Sequence, residues 1–219
     1  MAYNFVSASS QRITANLSGI AEPCTIAAWA RPASIVNMTA VSLVASDDDR
    51  RSISLIASGG NHNPRASVVN DGVSSVSADS TFNAASNSWV HLCGVFASTS
   101  SRTIYANGGN TNTNTTTLNG ANSSSIVSIG ATRATSGNPA ANSIISFFNG
   151  DIAEVGIWNA ALTAAEIASL AKGMTCDKVR PQSLVFYAPL VRDLIDQKGG
   201  LTITNNNGAT VANHPRVYA

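Results

Sequence analysis

The chain has 219 residues and a formal net charge of +1, with 44% hydrophobic but only 11% charged residues. An average globular protein carries about 25% charged residues. Because long amphipathic helices need charged outer faces, this composition disfavours a helical protein and favours short strands joined by turns. The sequence has no run of lysine and arginine, so we expect no nucleic-acid partner.

The N-terminus lacks the basic and apolar regions of a signal peptide. No apolar stretch approaches the ~20 residues of a membrane span. We therefore expect a protein made in a cytoplasm and not inserted into a membrane. Cys24, Cys93 and Cys176 are widely spaced, which predicts buried thiols rather than a zinc site.

Short runs of alternating apolar residues recur between turn residues and predict an all-β sandwich or barrel. Asp71-Gly72 and Asn107-Gly108 are hairpin signals, because both residues of each pair tolerate positive φ. The Asn–Thr alternation over 110–117 predicts an exposed strand, and an amide-rich glycan contact is the alternative interpretation. The predicted strands are Tyr3–Val6, Ile13–Leu17, Thr25–Ala30, Ala40–Ala45, Ser52–Ala57, Ala66–Val69, Gly72–Ser77, Trp89–Phe96, Arg102–Ala106, Ser125–Ile129 and Gly150–Trp158.

One short helix is expected near residues 163–172. Thr163 and Glu166 have the spacing of a capping box, with Thr163 at the N-cap and Glu166 at the third helical position. Gly173 supplies a stop signal. The apolar residues of this segment form one stripe, which predicts that the helix lies against the sandwich.

Four segments resemble laminin-G-like, concanavalin-type domains in order and spacing. They are Thr25–Pro32 with its tryptophan and proline, Ser88–Phe96 with W-x-H, Thr103–Gly108 with Y-x-N-G, and Phe148–Ile167. The resemblance covers about residues 1–173 and implies a two-sheet antiparallel jelly-roll sandwich. Ala153 stands where that family often has Asp, so no calcium or polar role of that position is expected here.

The last part of the chain resembles the usual opening of this family. Ser183–Leu190, Gly199–Ile203 and Gly208–Val211 follow the order of an apolar strand, an Asp/Gly turn and a second strand. The chain's own start resembles what normally follows that opening. The resemblance therefore implies a circularly permuted sandwich.

In this arrangement residues 1–219 form one domain, with a main body over 1–178 and returning strands over 179–219. Met1 and Ala219 are then expected to lie close together. The alternative is a C-terminal tail that pairs with a partner or a neighbouring subunit. An unpaired apolar strand is an aggregation hazard, which favours closure within the chain.

The acidic residues give no catalytic pattern, and we expect no enzyme and no catalytic residues. Retaining glycosidases need two carboxylates about 5–5.5 Å apart. Asp151 and Glu154 stand three positions apart, on opposite faces of a regular strand. Among the histidines, His62 is expected in solvent and His91 in a structural role.

Asp47, Asp48 and Asp49 form the only acidic cluster. Carboxylates in loops can bind Ca²⁺, which makes these three residues weak candidates for a calcium site. Arg50 and Arg51 follow at once and should neutralise the cluster, so a solvated turn without any cofactor is the favoured interpretation.

Two functions compete. Chains of this fold that begin like Asn4–Gln11 and end like Ala212–Pro215 resemble particle proteins of tailed bacteriophages, which implies a virion structural protein, either a capsid decoration or tail-associated protein. Its partners would be other virion proteins or its own copies. The alternative is a lectin-like carbohydrate-binding module or adhesin for host-surface glycans, which usually needs exposed aromatic rings. Trp29, Trp89 and Trp158 all lie in core-like motifs, and Trp29, Val95, Phe96, Ile157 and Leu170 are predicted to pack in the core.

Overall fold

A computed structural model describes residues 1–34, 36–45, 50–58, 61–70, 74–118, 124–133 and 143–218. They form two large antiparallel sheets and a short hairpin, with α1 as the α-helix of this described part, which confirms the predicted fold class. In chain order the elements are β1 (Ala2–Phe5), β2 (Arg12–Ile20), β3 (Cys24–Pro32), β4 (Met38–Val44), β5 (Arg50–Ser58), β6 (Asn61–Asn70), β7 (Ser74–Asp79), β8 (Val90–Ser98), β9 (Ser101–Ala106), β10 (Gly109–Asn114), β11 (Ser124–Ile129), β12 (Thr132–Arg133), β13 (Ile144–Ile145), β14 (Gly150–Trp158), α1 (Ala164–Ala171), β15 (Leu184–Ala188), β16 (Ile203–Asn206) and β17 (Thr210–Ala212).

Sheet A has the strand order β10-β9-β8-β3-β14-β1-β17, and β15 also pairs with β14. Sheet B has the order β16-β2-β11-β4-β5-β6-β7, while β12 and β13 form a separate hairpin. Within the described ranges, no helix is both long and apolar enough to cross a membrane.

The main core lies between the two sheets and is built from alternate side chains of their strands. On β5, Ile53 and Leu55 are buried, and Phe96 on β8 and Ile157 on β14 meet them from sheet A. Phe96 and Ile157 are therefore core residues, as predicted. Trp29 is only half-buried and belongs to neither apolar cluster, so the prediction that it packs in the core is wrong.

A second apolar cluster covers part of the opposite, outward face of sheet A. Helix α1 and the segment after it pack there, and both Val95 and Leu170 belong to this cluster rather than to the main core. Trp158 is fully buried within it, and its indole N–H donates to the carbonyl of Val179 at 2.8 Å. The buried members are Ala27, Cys93, Val95, Trp158, Leu162, Ile167, Leu170, Cys176, Val179, Leu184 and Tyr187.

Helix α1 begins as the capping box predicts. The backbone N–H of Glu166 donates to Thr163 Oγ1 at 3.4 Å, and Glu166 Oε2 accepts from the backbone N–H of Thr163 at 2.7 Å. Arg180 also pairs with Glu166, with 2.7 Å between Nη2 and Oε2. The cap therefore connects the helix start to the segment that leads into β15.

The returning strands pair inside both sheets of the same chain. Strand β15 occupies one part of the edge of β14 and β1 occupies the next part, so they lie end to end beside the same strand. Strand β17 then pairs with β1, and β16 pairs with β2 in sheet B. Ala2 lies opposite Ala212 in this arrangement, whereas Tyr218 bridges to Met174. Met1 and Ala219 were expected to lie close together. Ala219 lies outside the described residues, so this stays a prediction.

Glu154 marks the point where β14 changes its neighbour from β15 to β1. The register of β14 against β3 shifts here, and Glu154 has a positive φ of 52°. Its buried carboxylate accepts a hydrogen bond from Tyr187 Oη at 2.6 Å and lies 3.1 Å from His214 Nε2. Because β14, β15 and the C-terminal segment each contribute one side chain, the cluster fastens β15 and the C-terminal segment to the sheet.

Candidate binding surface

The outward face of sheet B is polar because β5 and β6 alternate apolar inward and polar outward side chains. On β5 the inward residues Ile53 and Leu55 are fully buried, and Ser52 and Ser54 occupy the outward positions between and beside them. On β6, Ala66 faces inward, and Asn63, Arg65 and Ser67 occupy outward positions. The result is a row of hydroxyl, amide and guanidinium groups across neighbouring strands.

Three depressions lie along this face, and we call them together the groove. The central one, of about 160 Å³, is lined by Ser52, Ser54 and Ser67 with Arg50 and Arg65. A second, of about 300 Å³, adjoins it, because Ile56 and Arg65 line both. A third, of about 230 Å³, lies beyond the β12–β13 hairpin. Its lining residues are Arg12, Thr14, Asn16, Val44, Ile126, Ser128, Arg133 and Ile144.

Arg65 and Asp79 form the most prominent charged pair of the groove. They lie opposite each other on β6 and β7 and make two parallel bonds, Nε to Oδ1 at 2.5 Å and Nη2 to Oδ2 at 2.6 Å. The side chains are 32% and 43% exposed. A solvent-accessible fork of this kind keeps lone pairs and N–H groups for a ligand.

The β12–β13 hairpin is fastened over the groove by polar contacts. Ser42 Oγ and Ser128 Oγ both donate to the carbonyl of Ala131, at 3.1 and 2.9 Å. Arg50 Nη1 donates to the carbonyl of Arg133 at 2.8 Å. These bonds hold the middle of the groove in one shape before any ligand arrives, which lowers the entropic cost of binding.

The calcium candidates Asp47, Asp48 and Asp49 lie outside the described residues. Among the residues that the structure does describe, no group of three or more His, Cys, Asp or Glu side chains is placed to hold a metal ion. Arg51 is buried inside the sandwich, and its Nε lies 3.3 Å from Glu22 Oε1.

The two carboxylates of β14 are placed differently from what the sequence pattern indicated. The bulge at Glu154 breaks the alternation and brings its carboxylate to Tyr187, whose ring belongs to the outward cluster of sheet A. Asp151 also bonds on that outward side, with Arg31 and with Asn4 Nδ2 at 2.7 Å. The prediction of opposite faces is therefore wrong, because it assumed a regular strand. Both carboxylates are buried and engaged by neighbouring side chains.

The histidines lie apart from one another. His62, expected in solvent, is fully buried, with Nδ1 3.2 Å from the carbonyl of Ala84. His91 is buried as a structural residue, and burial lowers its pKa to about 3, so its ring is neutral at ordinary pH. His214 contacts Glu154 as described above. His62 was misjudged because its Gly/Asn/Pro-rich surroundings suggested a loop, whereas the residue lies within β6.

The tryptophans divide into two groups that the motifs did not distinguish. Trp158 is buried under α1, whereas Trp29 and Trp89 are half-buried on the outward face of sheet A. The signal was present in the sequence, because Trp29 alternates with Ala28 and Ala30, and these two alanines face the core.

The Asn–Thr segment has a structural role at the junction of the two sheets. It forms the exposed edge strand β10, as predicted. The side-chain amides of Asn112 and Asn114 each donate to a backbone carbonyl of β7, those of Asp79 and Ser77, both at 2.7 Å. These asparagines connect the edge strands of both sheets, so the same amide groups are not free to bind glycans.

The sequence profile of the concanavalin A-like lectin/glucanases superfamily matches residues 5–168. The chain belongs to this superfamily. No curated protein matches its sequence. Its lectin-like sandwich fold recurs in solved structures of other concanavalin A-like proteins.

The native heptameric SAP-like pentraxin of Limulus polyphemus aligns with a TM-score of 0.62 and 15% identity, over 93% of this chain and 89% of the pentraxin chain. A putative carbohydrate-binding protein of Bacteroides ovatus aligns over the whole of this chain, with a TM-score of 0.63 and 17% identity. This chain spans only 61% of that protein. Domain 4 of the arabinanase AbnA from Geobacillus stearothermophilus, solved with arabinotriose, has a TM-score of 0.52 and 20% identity over 71% of each chain. At these identities the likeness concerns the fold alone.

Proposed function

We propose that this chain is a non-enzymatic glycan-binding module that uses the groove on the outward face of sheet B. The observation that carries the proposal is the set of hydroxyl, amide, guanidinium and carboxylate groups that line three depressions on one face of the sheet. Saccharides offer many hydroxyl groups, each of which can donate and accept, and a preformed polar groove satisfies them in a fixed order. The carbohydrate-binding protein and the arabinotriose-bound domain of the same fold support this choice of ligand class.

Apolar side chains also contribute to the groove. Ile56 lines the central depression and Ile126 lines the third, and both are partly exposed. They offer weak contact to the C–H groups of a sugar, while the polar side chains around them set its orientation. No aromatic side chain lies among the lining residues described, so we expect modest affinity that depends on hydrogen bonds.

The absence of catalysis is part of the proposal. Asp151 is held by Arg31 and Asn4, and Glu154 is held by Tyr187 and lies beside His214. A general acid or nucleophile needs access to the glycosidic oxygen or to the anomeric carbon, and these buried carboxylates have none. Incubation with a panel of plant and bacterial polysaccharides should release no reducing sugar. Release that Glu154→Gln abolishes would overturn this part of the proposal.

The test of the groove begins with a glycan array, probed with and without calcium. Binding to a hit should fall about ten-fold or more in Arg65→Ala, which corresponds to at least about 1.4 kcal/mol. Arg216→Ala, an exposed arginine outside the groove, is the matched control and should bind as the unaltered chain does. An array without hits under both conditions would contradict the proposal, as would equal losses in both variants.

A second proposal concerns where the protein acts. We propose that it is a surface component of a tailed-bacteriophage particle, attached to the capsid or the tail through other virion proteins or its own copies. The supporting observation is that Met1, Val6, Val191, Ile195 and Val211 all have exposed apolar side chains. They come from the two chain ends, whose strands β1 and β17 pair at one edge of sheet A, and such an edge suits subunit contact.

Glycan binding and a virion location are compatible, since a particle surface protein can bind host glycans. Mass spectrometry and antibody labelling of purified particles from the source phage test the location. We expect the chain at a fixed copy number per particle. Its absence from intact particles would contradict the virion proposal and leave the groove proposal unaffected.

A further inference from the structure

The outward face of sheet A has an uncovered half beside the half that α1 covers. Trp29 and Arg31 on β3 lie there with Trp89, the residue just before β8, and with Asn4 and Asp151 on the neighbouring strands. Both indole rings are half-buried, and neither belongs to an apolar cluster. We call Trp29, Trp89 and Arg31 the aromatic platform.

Arg31 is held in a fixed position within this platform. Its Nε donates to Asp151 Oδ2 at 2.6 Å, and Nη2 bonds to the same oxygen. The other carboxylate oxygen accepts from Asn4 Nδ2 at 2.7 Å. The guanidinium carbon lies 5.8 Å from the centroid of the Trp89 ring. Arg31 Nη1 has no hydrogen-bond partner in the described part of the chain, and the side chain is 34% exposed.

Trp29 is supported from behind by His91. The ring centroids are 5.3 Å apart at an interplanar angle of 64°, so the two rings meet edge to face. His91 is only 2% exposed and its ring is uncharged, because burial lowers its pKa to about 3. On the other side Trp29 lies opposite Ala153, which has a small side chain. With these two neighbours the Trp29 side chain remains half-buried.

We propose that the aromatic platform is a second saccharide-binding surface, on which sugar rings stack against Trp29 and Trp89 while Arg31 Nη1 donates to a sugar hydroxyl. The inference goes beyond the groove proposal, because stacking here needs no residue of sheet B. The negative face of an indole attracts the positively polarised C–H groups of a sugar ring. Trp29 faces His91 across the sheet, so Trp89 is its diagonal neighbour at about 7–8 Å. The two rings are therefore close enough for one linear saccharide to reach both.

The exposure of the rings favours a saccharide over a protein partner. Aromatic residues that dominate protein interfaces fill pockets of the partner. Trp29 and Trp89 are instead half-buried and supported by neighbouring side chains. A flush aromatic surface with a fixed hydrogen-bond donor suits a flat ligand that has polar groups at its rim.

The test uses tryptophan fluorescence of the full chain. The three tryptophans are the two platform residues and the buried Trp158. Soluble linear oligosaccharides of glucan, xylan, mannan and arabinan are titrated singly, and acrylamide quenching is followed. A bound saccharide should shift the emission and protect Trp29 and Trp89 from acrylamide. Trp29→Ala and Trp89→Ala should each weaken binding about ten-fold or more, while Trp29→Phe and Trp89→Phe keep a ring and retain part of the affinity.

The outcomes separate this proposal from the groove. A saccharide whose affinity falls in Trp29→Ala and Trp89→Ala but not in Arg65→Ala supports the platform and counts against the groove for that ligand. The reverse pattern overturns the platform and leaves the groove intact. Failure of every oligosaccharide to protect the two rings in the folded protein overturns the platform, as does protection that rises with protein concentration alone, which would identify a contact between copies. If an alanine variant does not fold, the phenylalanine variant at that position is used instead. Unchanged affinity in that variant, together with no protection of the remaining platform tryptophan from acrylamide, excludes stacking.

Discussion

The outward faces of the two sheets are used in different ways. On sheet A, helix α1 and the chain after it cover one half with a closely packed cluster that includes Trp158 and Leu170. On sheet B the corresponding face carries Ser52, Ser67 and Arg65 along open depressions. One sheet buries apolar side chains on both of its faces over part of its area, whereas the other buries them mainly on the inward face.

This difference separates stability from recognition. Residues of the covered face of sheet A have many apolar neighbours, so substitutions there should change the free energy of unfolding. Residues of the groove contact mainly polar groups and solvent, so substitutions there should change binding and leave stability nearly intact. The two faces can therefore be tested against each other by measuring unfolding and binding on the same variants.

The largest effect should follow from deleting the strands that come after α1. Ending the chain after Lys178 deletes β15, β16 and β17 and takes away Leu184, Phe186, Tyr187 and Leu190, all of them buried. At about 1.5–3 kcal/mol for each side chain, the loss is about 6–12 kcal/mol, close to the whole stability of ~5–15 kcal/mol of a typical domain. We expect an insoluble chain without a cooperative unfolding transition by circular dichroism.

A chain that ends after Pro215 is the control, because it keeps all three strands and His214 beside Glu154, and it should remain soluble. A soluble protein with a sharp transition after truncation at Lys178 would show that the returning strands are dispensable, although they contribute Leu184 and Tyr187 to the covered face and Phe186 and Leu190 to the main core.

Much of the fold could be predicted because it depends on local alternation and turn chemistry. The strand around Trp89–Phe96 and the capping box at Thr163 follow from short-range patterns, and the structure contains both. The bulge at Glu154 could not be predicted in this way. It depends on β14 exchanging one neighbour for another, and those neighbours, β15 and β1, lie far away in the sequence.

A smaller effect should come from a single side chain of the covered face. Leu170 is 2% exposed and packs in the second cluster, so Leu170→Ala should lower the free energy of unfolding by about 2–5 kcal/mol. Ser67→Ala is the matched change on the groove, where only the bond to Ser52 at 2.9 Å is lost. It should stay within about 0.5 kcal/mol of the unaltered chain. Urea unfolding measures both, and equal losses would remove the distinction between the two faces.

The candidate binding surfaces were less accessible to sequence reasoning than the fold. The groove brings together residues from β2, β5, β6, β7 and β11. The hairpin signal Asp71-Gly72 predicts that β6 and β7 are neighbours, but no local motif predicts that β2 and β11 lie in the same sheet. Their outward serines and arginines also resemble any solvated strand face. Trp29 was predicted in the core because it lies in a core-like motif, although its alternation with the inward-facing Ala28 and Ala30 placed it on the other side.

The smallest effect should come from the N-terminal cap of helix α1. Thr163→Ala removes the side-chain oxygen that accepts from the backbone N–H of Glu166, so it should cost about 1 kcal/mol at neutral pH.

Burial, the largest single influence, raises the pKa of Glu166, but hydrogen bonds from Thr163 and Arg180 outweigh it and lower that pKa below its ordinary 4.5. A lowered pKa in the folded state means that the stabilisation by this carboxylate is complete above about pH 4.5 and is lost as the pH falls through the lowered value. The difference between the unaltered chain and Thr163→Ala should therefore shrink in acid, because the variant has already lost part of this network. Urea unfolding at neutral and at acidic pH tests this, with Thr111→Ala on the exposed strand β10 as the control, which should change stability by less than about 0.5 kcal/mol at either pH. A difference that stayed constant, or grew, as the pH fell would show that the cap acts without the charge of Glu166.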